Sequence, residues 1–240
     1  MHYFPVALPF LLLLFFVAIL LLGLIEVGVL SYAYQKMGIK RHHAFSLLFI
    51  SLLGSYINIP IFELPPEQVA SNARIYFYGI PHVIPLVREW PATIIALNIG
   101  GALIRAVLSV YLIVKNRLHG RALLGVALVT LLVHSMAYPV RGVGIAEPIF
   151  IPPIAATVVA LILSRDYAPA LAYISGTMGT LLGADLLNLD KIQGLGAPVA
   201  SIGGAGTFDG IFMTGILAVL LASLIPGKHA GEKRNGVTPS

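Results

Sequence analysis

Two aspartates stand inside long apolar stretches, Asp185 in LAYISGTMGTLLGADLLNL and Asp209 in SIGGAGTFDGIFMTGILAVLLASL. A carboxyl in hydrocarbon is costly and is retained where it does chemistry or binds something. Two carboxyls brought together in a poorly solvated space cannot both ionise cheaply, so such a pair shares a proton. That is the apparatus of an aspartic hydrolase: the ionised group activates water and the protonated one protonates or polarises the scissile carbonyl. The structural alternatives are that each acid caps a broken helix, pairs with a cation or sits in a wet vestibule near the interface.

Small residues surround both acids. Gly179 and Gly183 form a GxxxG pair, and Gly203, Gly204, Gly206 and Gly210 strip the second stretch of bulk. Such surfaces let helix backbones approach closely, which predicts that the two stretches pack on one another and bring their carboxyls together. Asn98, His134, Asn188, Gly206 and Thr207 fall at comparable levels and are expected to line the same cavity. A lone intramembrane histidine such as His134 is more often a helix-to-helix hydrogen-bonder than a ligand. His134, Asp185 and Asp209 are plausible zinc ligands by type, but no HExxH or paired-histidine spacing accompanies them, so neither a metal nor a cofactor is expected. Arg105, in mid-stretch, is a candidate counter-ion for Asp209.

The elements that position these residues follow from composition. Of 240 residues, 58% are hydrophobic and 10% are charged, and the mean hydropathy is +0.92. A soluble domain carries about 25% charged residues, so a water-soluble globule is excluded. Seven apolar runs approach the roughly 20 residues of a membrane span. They cover 6–34, 44–62, 92–114, 122–139, 143–164, 171–189 and 201–226, forming a single transmembrane domain over 1–226, with a disordered polar tail at 227–240. The fold class expected is therefore all-α, a polytopic transmembrane helical bundle. The amino-terminal run lacks a basic start and reads as a retained span. At about 1.5 Å per residue, Asp185 lies about 6 Å and Asp209 about 12 Å from the outer ends of their spans.

Ten of the fifteen basic residues fall on one set of connectors and the tail, four fall on the opposite set, and Arg105 lies within a span. That bias puts the amino terminus outside and the carboxy terminus in the cytoplasm, and it makes the net charge of +5 a matter of topology rather than of nucleic-acid binding. The absence of cysteine removes thiol chemistry. The connector 65–91, with Tyr76, Tyr78 and Trp90, fits a segment at the outer interface or a lid. Prolines 139, 148, 152 and 153 predict a broken outer end of the fifth span, with Glu147 beside the break. The partners expected are the bilayer and either a membrane-embedded peptide or a small solute.

GVGIAEPIFIPPIAATVVALIL at 142–163, SGTMGTLLGADLLNL at 175–189 and SIGGAGTFDGIFMTGILAVLLA at 201–222 resemble the prokaryotic membrane family of domain of unknown function 1614, and the likeness extends to NIGGALIRAVLSVYLI at 98–113. The resemblance implies a prokaryotic cell membrane but no activity. The GAD ending at Asp185 and the GTFDG around Asp209 match its pattern, whereas Arg105 and Glu147 depart from it. A looser likeness is to presenilin-type and prepilin-peptidase intramembrane aspartyl proteases, which share small residues before the acid, although their GxGD signature is absent. The rival to a hydrolase is a small-solute or proton/cation-coupled transporter. Its support is the string IGGA at 99–102 and again at 202–205, which suits a parallel repeat of three spans, a linker span and three spans.

Overall fold

The computed structural model describes residues 16, 23, 27–65, 67–77, 80–90, 92–140, 144–192, 198–204 and 210–225. Gly206, Thr207 and Asp209, and the tail beyond 225, lie outside them. The chain is mostly helical: α1 (27–36 as described), α2 (Arg41–Gly54), α3 (Ile104–Asn116), α4 (His119–Met136), α5 (Ile151–Leu163), α6 (Ala168–Thr180) and α7 (Gly210–Ser223). Helix α6 continues through a π-helical turn, Leu181–Asp185, into a 3-10 segment, Leu186–Lys191.

These helices invert the usual pattern of a soluble fold. On α4 the buried residues are Ala122, Gly125, Val129 and Val133, while Leu123 is 74% exposed. Ser109, Ser175, Thr180 and Thr214 are buried, whereas Ile162 on α5 is 78% exposed. Large apolar side chains facing out and hydroxyls facing in suit hydrocarbon rather than water. Three helical stretches, Ile99–Asn116, His119–Met136 and Ala168–Lys191, are long and apolar enough to cross a membrane, and α5 and α7 are shorter apolar helices. Pro152 and Pro153 open α5, where the first N–H groups need no intrahelical partner.

Helix α6 is the centre of the bundle, packed by α3, α4, α5 and α7. Its glycines decide those contacts. A Cβ on Gly179 would lie 2.6 Å from Val129 Cγ1, and one on Gly183 would lie 3.0 Å from Val133 Cβ, so the GxxxG pair faces α4. The expected packing of this span on the seventh is present, but it is not the GxxxG pair that makes it. Helix α6 meets α7 elsewhere, where Gly176 lies against Thr214 and Gly215 against Tyr173 and Thr177.

Strands are the departure from an all-α plan. β1 (Asn58–Glu63), β4 (Ile94–Asn98) and β7 (Val199–Ile202) form a sheet in the order β1-β4-β7, antiparallel between the first two and parallel between the last two. The connector expected as an interfacial segment is a long antiparallel hairpin, β2 (Glu67–Phe77) against β3 (Ile80–Trp90). It is inserted at the tip of the β1/β4 ladder, where Leu64 N donates to Thr93 O at 2.9 Å. A short hairpin of β5 (Tyr138–Val140) and β6 (Gly144–Ala146) precedes α5. Continuous apolar runs do not distinguish buried strand from helix, which is why β1, β4, β5, β6 and β7 fall in or across the limits of expected spans.

Candidate functional site

The strands β4 and β7 each feed a helix through glycines. After β4 comes a π-helical turn, Ile99–Leu103, which leads into α3. Asn98 caps it: its Oδ1 accepts from Gly101 N at 2.6 Å while its Nδ2 donates to Ser55 O at 2.7 Å and Asn58 Oδ1 at 3.1 Å. Asn98 is fully buried, and this set gives both halves of its amide a partner. Ser201 Oγ on β7 donates to the same Asn58 Oδ1 at 2.6 Å, with Gly204 O the alternative acceptor at 3.0 Å.

After β7 the chain turns through Gly203 and Gly204, both with positive φ (94° and 79°), a conformation that favours glycine. Gly203 passes so close to Gly101 and Ala102 that a Cβ on either glycine would collide with the other segment's backbone. Here Asp185 enters. At the end of the α6 π turn, its Oδ2 accepts the Gly203 N–H at 2.7 Å. The π turn widens the helix at its carboxy-terminal end, and such bulges recur at functional sites.

The first turn of α7 lies between two further charged side chains. Glu147 follows β6, which packs on the π turn ending at Asp185, and its carboxylate reaches Gly210: a Cβ there would lie 2.5 Å from Glu147 Oε1. An anion at a helix amino terminus is favoured by the helix dipole. Arg105, 3% exposed on the first turn of α3, holds its guanidinium 5.2 Å from the centre of the Phe212 ring. The segment 203–210, which contains Asp209, therefore starts at a residue bonded to Asp185 and ends at one touched by Glu147. By sequence Glu147 is a departure from the pattern of the resembled family. Its position beside a proline-broken helix start was the signal that it borders the site.

The other predicted residues divide. Asn188 is fully buried and turns its amide back onto α6, donating to Gly183 O at 2.7 Å and Ala184 O at 3.0 Å, while Lys191 Nζ donates to its Oδ1 at 2.7 Å. It braces the end of α6. His134 is half-buried; its backbone passes Gly183, and its Nδ1 has no hydrogen-bond partner among the described residues. No group of three or more His, Asp or Glu side chains placed to hold a metal occurs among the described residues.

The chain matches the family described as protein of unknown function (DUF1614) over residues 52–221, a stretch that includes Asp185 and Asp209. No curated protein and no solved structure matches it.

Proposed function

The chain belongs to the DUF1614 family, and from that premise we propose that it is an intramembrane hydrolase of the aspartyl type, a protein of a prokaryotic cell membrane with about seven spans, its amino terminus outside and its carboxy terminus cytoplasmic. Asp185 and Asp209 are its dyad. The observation that carries this reading is the bond from Gly203 N to Asp185, which joins the sixth-span acid to the segment bearing Asp209. A carboxylate that takes a backbone N–H suits the member that activates water, which leaves Asp209 as the acid. Water attacks the scissile carbonyl carbon as its proton passes to Asp185, and Asp209 protonates the carbonyl oxygen. As that adduct collapses, Asp185 gives its proton to the nitrogen, a hydroxyl of the adduct returns its proton to Asp209, and the C–N bond breaks to release the amine and the carboxylic acid.

The substrate class follows from the sheet. Among the described residues β7 is an edge strand, with a row of backbone donors and acceptors open to pairing. An extended peptide added to that edge is led to Gly203 and hence to Asp185.

One observation favours a second reading, a small-solute or proton/cation-coupled transporter. The strands β4 and β7, which precede α3 and α7, pair in parallel, and an IGGA string follows or ends each of them. Two features weigh against a full repeat. Leu97 pairs with Ile202, so the two strings are out of register. Helix α6 is buried along most of its length, whereas its counterpart α2 buries Ala44 and Gly54.

The test is full-length protein in liposomes with a panel of transmembrane peptides, products read by mass spectrometry. Asp185→Asn and Asp209→Asn are each expected to lower cleavage by about 10²-fold or more. Cleavage unchanged in both variants refutes the dyad, and a proton-coupled flux lost in both with no cleavage replaces the enzyme by the carrier.

A further inference from the structure

The opposite end of the bundle carries a feature that the acids do not explain. Helices α2 and α3 meet at their outer ends, where Gly54 lies against Gly100 and Ser51 Oγ donates to Gly100 O at 3.2 Å. At the basic end they are tied by Lys115, whose Nζ donates to Gly38 O at 2.7 Å and sits 5.4 Å from the Tyr111 ring centre. Between these ties runs a groove of about 760 Å³, within the roughly 300–1,000 Å³ of small-molecule sites.

Its chemistry is divided lengthwise. Ile39, Leu47, Ile50, Ile104 and Val107 form apolar walls, Lys40, His43 and Lys115 stand at the basic end, and no acid lines it among the described residues. From Lys40 to Ile50 helix α2 rises about 15 Å, half of the roughly 30 Å hydrocarbon core and so the depth of one leaflet. The neighbouring Lys36, Arg41, Arg117 and Arg121 add to the positive field at that end.

We propose that this groove binds one anionic phospholipid of the cytoplasmic leaflet, its phosphate on Lys40, His43 and Lys115 and an acyl chain along the wall between α2 and α3. Charge complementarity selects the headgroup, and one-leaflet depth selects a lipid over a free anion. Lys115 is held in place by Gly38 and Tyr111, so part of the headgroup site is organised before the lipid arrives.

The experiment loads full-length protein in detergent micelles with excess phosphatidylglycerol or phosphatidylcholine, washes it, and counts retained lipid by mass spectrometry. Phosphatidylglycerol is expected at about one per chain and at least fivefold above phosphatidylcholine. The surface variant Lys40→Gln/His43→Gln is expected to lower phosphatidylglycerol retention at least fivefold, and Val107→Trp, which fills the groove, to lower retention of either lipid. Equal retention of the two lipids, undiminished phosphatidylglycerol in Lys40→Gln/His43→Gln, or its displacement by inorganic phosphate alone overturns the proposal. All of these positions lie on α2 and α3 or the turn before α2, outside the segments that carry Asp185 and Asp209, so the outcome is independent of the hydrolase reading.

Discussion

Asp185 Oδ2 accepts the backbone N–H of Gly203 at 2.7 Å, which ties the last helical turn of α6 to the turn that follows β7. A bond to a charged acceptor contributes about 1.5–3 kcal/mol net. Asp185→Ala is therefore expected to lower the stability of full-length protein in micelles by about that amount, whereas Asp185→Asn, whose Oδ1 still accepts, costs less than about 1.5 kcal/mol. Comparing the two by denaturant titration isolates the acid's structural role: on the proposed hydrolase reading, the asparagine variant should be folded and inactive.

Asn98 joins the end of α2, β1 and the start of α3 through its buried amide. Asn98→Leu removes the acceptor of Gly101 N–H and the donor to Ser55 O, at about 1–3 kcal/mol in all. Asn98→Asp keeps the acceptor but turns an oxygen toward Ser55 O and Asn58 Oδ1, so it should not rescue. A melting temperature for Asn98→Asp equal to that of the parent would contradict this network.

Gly179 against Val129 calls for a paired substitution. Gly179→Ala places a methyl against Val129 and is expected to cost about 1–3 kcal/mol, as overpacking does. Val129→Ala in the same chain should return part of that loss, with a coupling of about 0.5–3 kcal/mol in a double-mutant cycle. Zero coupling would mean that α4 is not the partner of this glycine.

The β2/β3 hairpin pairs with itself and leaves the β1/β4 ladder at Leu64 and Thr93, already joined by a backbone bond. Replacing residues 65–92 with Asn-Gly, the sequence that favours a two-residue hairpin turn, is expected to leave the melting temperature within a few degrees. If the hairpin is a lid, the shortened protein keeps its fold while peptide cleavage changes, which a paired melting and cleavage assay reads directly.

Several features were legible before any coordinates. The membrane class came from apolar runs and scarce charge, and the break before α5 came from its prolines, because both are local properties of a chain in hydrocarbon. Asp185 and the glycines of the last spans stood out because a bilayer makes acids and missing side chains conspicuous. The strands did not, since Ile94–Asn98 and Val199–Ile202 are as apolar as a helix and their pairing joins residues about a hundred positions apart. Which neighbour each α6 glycine faces, and that Glu147 borders the start of α7, are matters of distance between segments remote in the chain. Local composition selects the solvent and the acids; the tertiary structure alone decides which groups meet, because close packing depends on where the whole chain has already gone.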